Sequence, residues 1–114
     1  MRDGIYRLVY AGISANAFGL FVIRNGEFRG VGQSGAEYEG TIRFEPSRNL
    51  FVFDGSACFK PGTQMVIGGT AGDDGLTLPF KGEMSNPDPS TRFSLAFANR
   101  AVDVAMDYVS PLPG

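Results

Sequence analysis

Residues 37–45 read EYEGTIRFE and carry the clearest secondary-structure signal in the chain. Tyr38, Ile42 and Phe44 fall on one side of an extended backbone, with Gly40 between them, and charged or hydroxyl side chains fall on the other. Side chains alternate across a β-strand with a period of two. The pattern therefore predicts a strand with one face in a hydrophobic core and one face in water.

Similar short segments recur on both sides of this stretch, separated by turn residues. Asn25-Gly26 is the strongest hairpin signal, because both residue types tolerate the positive φ angles of a type I′ turn. A second turn signal lies at Asp74-Gly75. The other predicted strands are at residues 4–10, 17–24, about 28–31, 50–53, 65–67, 76–80 and 93–97.

Short strands at this turn-punctuated spacing predict an all-β fold, a small antiparallel up-and-down barrel of about eight strands. Closure of such a barrel leaves no exposed edge. An immunoglobulin-like sandwich is disfavoured because the chain has no Trp and one Cys. Residues 101–110 fit two patterns. Val102, Val104, Met106 and Tyr108 alternate as in a strand, whereas Ala101, Val104, Ala105 and Tyr108 share a helical face. We favour the strand.

The composition indicates one domain, residues 1–114, and removes most catalytic chemistry. A chain of 114 residues builds one hydrophobic core. It contains no His, which excludes Ser-His and Cys-His nucleophile systems and histidine metal sites. We expect no cofactor, no metal and no enzymatic activity. The formal net charge of −2 provides no basic field for direct nucleic-acid binding.

Cysteine usage and hydropathy indicate a cytoplasmic protein. Cys58 is alone, as in a reducing compartment, and its apolar neighbours predict a buried side chain. The apolar N-terminal segment is short and broken by Tyr10 and Gly12, which favours a strand over a signal peptide. No apolar run approaches the ~20 residues of a membrane-spanning helix, so we expect no membrane association.

Two predicted strands are apolar on both faces, which a barrel strand beside water should not be. The opposed sets are Phe18, Leu20 and Val22 against Phe21 and Ile23, and Leu50 and Val52 against Phe51 and Phe53. We predict that a second copy of the chain covers the outer face, giving a homodimer. The C-terminal segment and scattered surface apolar residues are the alternatives. The predicted dimer interface comprises Phe21, Ile23, Phe51 and Phe53.

The predicted barrel interior is aromatic and aliphatic. An eight-stranded barrel is filled by its own side chains or holds one small ligand. The residues expected to line an interior cavity are Tyr6, Leu8, Tyr38, Phe44, Leu78, Phe93 and Phe97. They suit a small apolar ligand or lipid, although ten Phe can also fill a narrow barrel unaided.

Two glycine-rich stretches resemble ligand-binding motifs without the required context. Residues 30–35 have the dinucleotide-binding spacing, but residues 36–44 alternate as a strand instead of opening a helix. Residues 68–75 lack the Lys and Ser or Thr that end a P-loop. A flexible loop is predicted there, and calcium binding by Asp73 and Asp74 is the alternative.

Several segments, in order along nearly the whole chain, resemble one known family. They are Asp3-Gly4-Ile5-Tyr6, Ile23-Arg24-Asn25-Gly26 with Gly30 and Gly32, Tyr38-Glu39-Gly40-Thr41-Ile42, Leu76-Thr77-Leu78, Val102-Asp103-Val104 and Ser110-Pro111-Leu112. They are similar to the GrlR-type negative regulators of type III secretion. The resemblance implies a lipocalin-like barrel that dimerises, encloses an apolar cavity and restrains a transcriptional activator by direct binding. The family's surface run of four acidic residues is replaced here by EPSRN at residues 45–49.

The leading functional prediction is a non-enzymatic, cytoplasmic regulator that binds a DNA-binding transcriptional activator. Glu37, Glu39 and Glu45 share one predicted strand face, which in most proteins is a solvated surface. Because DNA-binding proteins are basic, this acidic face is the predicted partner-binding site. The alternative is a carrier that holds a small apolar ligand or lipid inside the barrel.

Overall fold

A computed structural model describes residues 1–11, 16–65, 69–97 and 100–113, with the backbone alone at Asn16. The described residues form eight strands: β1 (Gly4–Ala11), β2 (Asn16–Arg24), β3 (Glu27–Gly32), β4 (Glu37–Glu45), β5 (Leu50–Phe59), β6 (Leu76–Met84), β7 (Ser90–Phe97) and β8 (Arg100–Ser110). The strands pair antiparallel in chain order, and β8 pairs with β1 to close a barrel. This confirms the predicted all-β, small lipocalin-like barrel. No helix long and apolar enough to span a membrane occurs among these residues.

The β2–β3 hairpin contains the two-residue turn predicted at Asn25-Gly26. The φ angles of the two residues are 52° and 76°, both positive as a type I′ turn requires. Arg24 and Glu27 face each other directly across the turn. The turn therefore fixes the register of both strands and sends Ile23 and Phe28, the next opposed pair, into the barrel.

Two segments of the chain change the predicted set of strands within the described residues. The strand predicted at residues 65–67 is wrong at Met65, which lies in the loop between β5 and β6, and residues 66–67 lie outside the described residues. Residues 101–110 are a strand, as favoured above, and β8 pairs with both β7 and β1. Its alternate residues Val102, Val104 and Met106 are all buried, which a helix could not achieve at this spacing.

Aromatic rings fill the middle of the barrel. Phe28 stacks on Phe21 and on Phe53, with ring centroids 5.0 and 4.2 Å apart. Phe80 lies 6.0 Å from Phe28. All four side chains are at most 1% exposed. Burying one such side chain fully contributes about 1.5–3 kcal/mol, and the ring contacts add to that.

Glycines opposite the rings provide the space for them. The directly opposed pairs are Phe21 with Gly30, Phe28 with Gly40, and Phe80 with Gly55. A Cβ built at Gly40 would lie 2.6 Å from Cζ of Phe28, closer than real Cβ atoms approach a neighbour. Small residues facing large ones are the usual way in which a small barrel is filled. These strand glycines are therefore packing requirements.

The β6–β7 contact is the least regular part of the described barrel wall. Among the described residues, β6 and β7 are in register at two residue pairs, Lys81 with Ala96 and Gly82 with Leu95. Strands β5 and β6, in contrast, are in register at nine residue pairs.

Replacing Gly40 by alanine should destabilise the barrel by about 1–3 kcal/mol, the usual cost of overpacking a core. The added methyl group would meet the Phe28 ring and the Cα of Gly55, each at 2.6 Å. Denaturant unfolding followed by circular dichroism measures the loss. Gly72→Ala is the control, because a Cβ at Gly72 has no neighbour within 4 Å. Equal stability of the two variants would contradict the packing of rings over glycines.

Candidate protein-binding face

Strand β2 is apolar on both sides, and barrel closure decides which side is inside. Phe21 and Ile23 are at most 2% exposed, and Phe53 on β5 is fully buried. The predicted dimer interface is therefore wrong for these three residues, because side chains that fill the interior cannot contact a second barrel. Phe51, the fourth predicted interface residue, is half-buried and packs against the core. When both sets of alternate residues in a strand are apolar, the sequence pattern does not show which set points into the barrel.

The outward side of β2 belongs to a contiguous apolar surface. Five of the eight large hydrophobic side chains that are exposed among the described residues lie together on the outside of β1–β3. We call them the outer patch: Val9, Phe18, Leu20, Val22 and Val31, each 41–55% exposed. Val9 is directly opposite Phe18, and Leu20 is directly opposite Val31. Contiguous exposed apolar surface of this kind is typical of a site that contacts another molecule.

Two depressions in the outer wall adjoin this patch. One, of about 760 Å³, includes Leu20 and Val31 in its lining and extends across the wall to Thr77 on β6. The other, of about 810 Å³, extends toward the β2–β3 turn. They share the lining residues Val22, Arg29, Glu39 and Ser56. We call the continuous depression the outer groove.

The outer groove is more acidic than basic. Its charged lining residues are Glu27, Glu37, Glu39 and Asp54 against Arg24 and Arg29. Arg29 lies 3.7 Å from Glu39, and Asp54 lies 4.0 Å from Lys81, which is outside the lining. Exposed pairs of this kind contribute little to stability. The net result is a negatively charged groove beside an apolar patch.

The predicted acidic face is divided by its arginine neighbours. Glu37 and Glu39 line the outer groove, whereas Glu45 lies at the far end of β4. Glu45 accepts hydrogen bonds of 2.6 and 2.9 Å from Arg48 and 2.8 Å from Arg43. These bonds, with Arg48 first, hold the pKa of the Glu45 carboxyl below its usual value. Two of the three predicted partner-binding residues thus lie together, and the third has two arginines as partners.

The residues predicted to line an interior cavity are mostly inside the barrel. Tyr6, Leu8, Tyr38 and Phe97 are buried, and Leu78 and Phe93 are half-buried against the core. Phe44 is the exception. It shares the inward phase of β4 but lies at the strand's end, 47% exposed, where its ring packs on Phe51 with centroids 5.1 Å apart. Its assignment to the cavity is wrong, because an inward-pointing side chain at the very end of a strand lies beyond the core.

Three tyrosine rings lie in the interior, and burial makes their hydroxyls harder to ionise. Burial raises the pKa of Tyr10 and of Tyr38 above the ordinary value of 10. Burial, helped by the nearby Asp88 carboxylate, raises the pKa of Tyr6 to about 12. The Tyr10 hydroxyl makes no hydrogen bond of good geometry within the described residues, and the Tyr38 hydroxyl is its polar neighbour.

Cys58 is exposed, so the prediction of a buried thiol is wrong. It occupies an outward position on β5, opposite Glu37 on β4 and Thr77 on β6. Its neighbours Ala57 and Phe59 take the two flanking inward positions. An apolar stretch in sequence thus places alternate residues on opposite faces, and the thiol borders the outer groove.

The glycine-rich stretches form turns and loops in the described residues. Residues 30–35 end β3 and enter the β3–β4 hairpin, and β4 follows instead of a helix, as predicted. Asp73 and Asp74 form a turn before β6. Across the described ranges, no three His, Cys, Asp or Glu side chains come together as a metal-binding group.

No protein-family model matches this chain, and no curated protein matches its sequence. The outer patch and the outer groove are therefore the features of this chain that bear on its function.

The buried tyrosines should make the barrel unstable at alkaline pH. The pKa of Tyr6 is about 12 in the folded chain and about 10 in the unfolded chain. Stability from the neutral hydroxyl is therefore complete below pH 10 and is lost as the pH rises toward 12; Tyr10 and Tyr38 act in the same direction. Tyrosinate absorbance and circular dichroism should change together across this range. Ionisation of all the tyrosines with the β-sheet signal intact would contradict the prediction.

Proposed function

We propose that this chain is a non-enzymatic regulatory protein that acts by binding another protein, a DNA-binding transcriptional activator. The observation that carries the proposal is the outer patch. A closed barrel has buried its core and paired its strands, yet five large apolar side chains remain together in water. An apolar centre with polar side chains around it is the usual anatomy of a protein–protein interface.

The charge of the outer groove supports a basic partner. Glu37 and Glu39 lie beside Val31 and Arg29 on the neighbouring strand, and the whole chain has a formal net charge of −2. Proteins that bind DNA carry basic surfaces. Opposite charges around an apolar contact raise the association rate, and salt weakens that effect. The resemblance to GrlR-type regulators, which restrain an activator by direct binding, points the same way.

We place the proposed homodimer on the same outer patch. The dimer is predicted because one strand is apolar on both faces. That observation holds for β2, but the outer face is the one with Phe18, Leu20 and Val22 instead of the one with Phe21 and Ile23. Arg29 and Glu37 give the surroundings of the patch both signs of charge, which suits a two-fold interface in which each copy presents the same surface. Activator and second copy then compete for the patch, and the homodimer is the state of the protein without its partner.

Carriage of a small apolar ligand is the second candidate function. One observation favours it: the Tyr10 hydroxyl is buried in the barrel and makes no hydrogen bond of good geometry within the described residues, so it could donate to a ligand oxygen in place of its neighbour Tyr38. Against it, stacked phenylalanines occupy the barrel centre. We expect native mass spectrometry of gently purified protein to give the mass of the chain alone. A lipid that co-purifies would favour the carrier.

Leu20→Glu should abolish capture of the activator, because it puts a charge at the centre of the outer patch. The measurement is a pull-down with purified DNA-binding proteins encoded next to this gene, at low and at high salt. Wild type should retain one of them at low salt, and Leu20→Glu should retain none. In light scattering at tens of micromolar, an order-of-magnitude range for such interfaces, Leu20→Glu should also be monomeric where wild type is dimeric.

Leu76→Glu is the matched control, since Leu76 is also an exposed leucine, 38% against 47% for Leu20, and lies outside the patch. It should capture the activator as wild type does, and both variants should keep the β-sheet spectrum. The regulator proposal fails if wild type retains no neighbouring DNA-binding protein at low salt. It also fails if the purified protein shifts duplex DNA unaided.

A further inference from the structure

The backbone beneath the outer groove has no hydrogen-bonding capacity to offer a partner. Strands β2 to β5, which form most of its lining, each have a paired neighbour on both sides. Addition of a partner strand requires an open sheet edge. Recognition in this groove must therefore use side chains, which excludes strand addition and favours an element that presents side chains from its own surface.

The shape of the groove also limits what can fill it. A depression of this kind, about 760 Å³ in its apolar half, is best filled by a convex element. A second copy would place the same depression against this one, and two facing depressions leave a gap that packing forces disfavour. A second copy can pair here weakly, but a narrow rod that enters the groove excludes water better.

The spacing of the apolar side chains matches an α-helix. Leu20 and Val22 are about 7 Å apart along β2, and Val31 is about 5 Å from Leu20 across the sheet. Phe18 extends the row to about 13 Å. On a helix, apolar residues at i, i+4 and i+8 are spaced by about 6 Å and span about 12 Å. Two to three helical turns therefore cover the row.

Charge selects the kind of helix. Glu37 and Glu39 stand on β4, beyond Val31 when seen from Leu20. Arg29 faces Glu39 and offsets part of its charge, while Glu37 has no ion pair within the described residues. A helix seated on Leu20 and Val31 would thus face carboxylates along one flank.

We propose that the outer groove binds one amphipathic helix of the partner, with an apolar stripe on Leu20, Val22 and Val31 and with Lys or Arg on the flank that faces β4. This inference rests on the proposed function and names the element of the partner that is recognised. The helix and a second copy use the same residues, so helix binding dissociates the homodimer. Truncating an anchor at the centre of such an interface costs tenfold or more in affinity.

The probe is a synthetic peptide of about 18 residues, five helical turns, with a leucine stripe and lysines along one flank. One comparison peptide carries glutamates in place of the lysines. Another has the same composition in a scrambled order that removes the stripe. Fluorescence anisotropy measures affinity, and amide chemical shifts locate the site. We expect the lysine peptide alone to bind wild type, with shifts centred on Leu20, Val22 and Val31.

Three variants test the contacts. Leu20→Glu should weaken the lysine peptide by roughly tenfold or more, whereas Leu76→Glu should bind it as wild type does. The double variant Glu37→Lys, Glu39→Lys should lose the lysine peptide and gain the glutamate peptide, which a merely misfolded barrel would not do. Light scattering should record monomers when the lysine peptide is in excess.

Binding of the scrambled peptide as tightly as the amphipathic one would overturn the inference, and so would a homodimer that persists with peptide in excess. An experiment with the full-length activator distinguishes failure of the helix inference from failure of the proposed function. If wild type captures the activator through Leu20 but binds no helical peptide, the helix is wrong and the regulator stands. If neither is bound, both are wrong.

Discussion

The packing of phenylalanine rings over glycines is the constraint on which this barrel depends. A ring on one strand needs the space that a side chain on the opposite strand would occupy, and Phe28 obtains it from Gly40. The requirement acts between strands. If one strand slipped by one residue, the rings would face side chains instead of glycines, and the residues that now form the core would point into water. Register, burial and closure are therefore fixed together, with the turn at Asn25-Gly26 setting the same register locally.

This filling of the interior moves the functional question to the outer wall. Rings occupy the middle of the barrel, and the strands of the wall have satisfied one another's backbone groups. The feature that remains is exposed apolar surface, which is concentrated on the outside of β1–β3. Strand β2 carries both roles, since alternate residues serve the core and the outer patch. The two roles can therefore be changed separately by substitutions at adjacent positions such as Phe21 and Leu20.

Electrostatics add selectivity to this surface and little to its stability. The ion pairs of the described residues join exposed or partly exposed side chains, and pairs of this kind contribute little to stability. Their arrangement still matters for binding. Arginines accompany Glu45 at the end of β4, while Glu37 and Glu39 stand beside the apolar patch. The Glu45 charge is thus offset by two arginines, whereas beside the apolar patch Glu39 is offset in part by Arg29 and Glu37 has no ion pair within the described residues.

The fold class and most of the strands follow from the amino-acid sequence, because alternation and turn chemistry are local. EYEGTIRFE is β4 to the residue, and Asn25-Gly26 is the predicted turn. Tertiary structure alone decided which face of β2 is inside, that Cys58 points outward, and that Phe44 lies beyond the core. Periodicity gives two faces but does not label them when both are apolar, and only closure of the barrel makes one face the interior. Phe18, Leu20 and Val22 were therefore recognisable in the sequence as one face of a strand, whereas the structure alone showed that this face is the outer one and that Val9 and Val31 adjoin it.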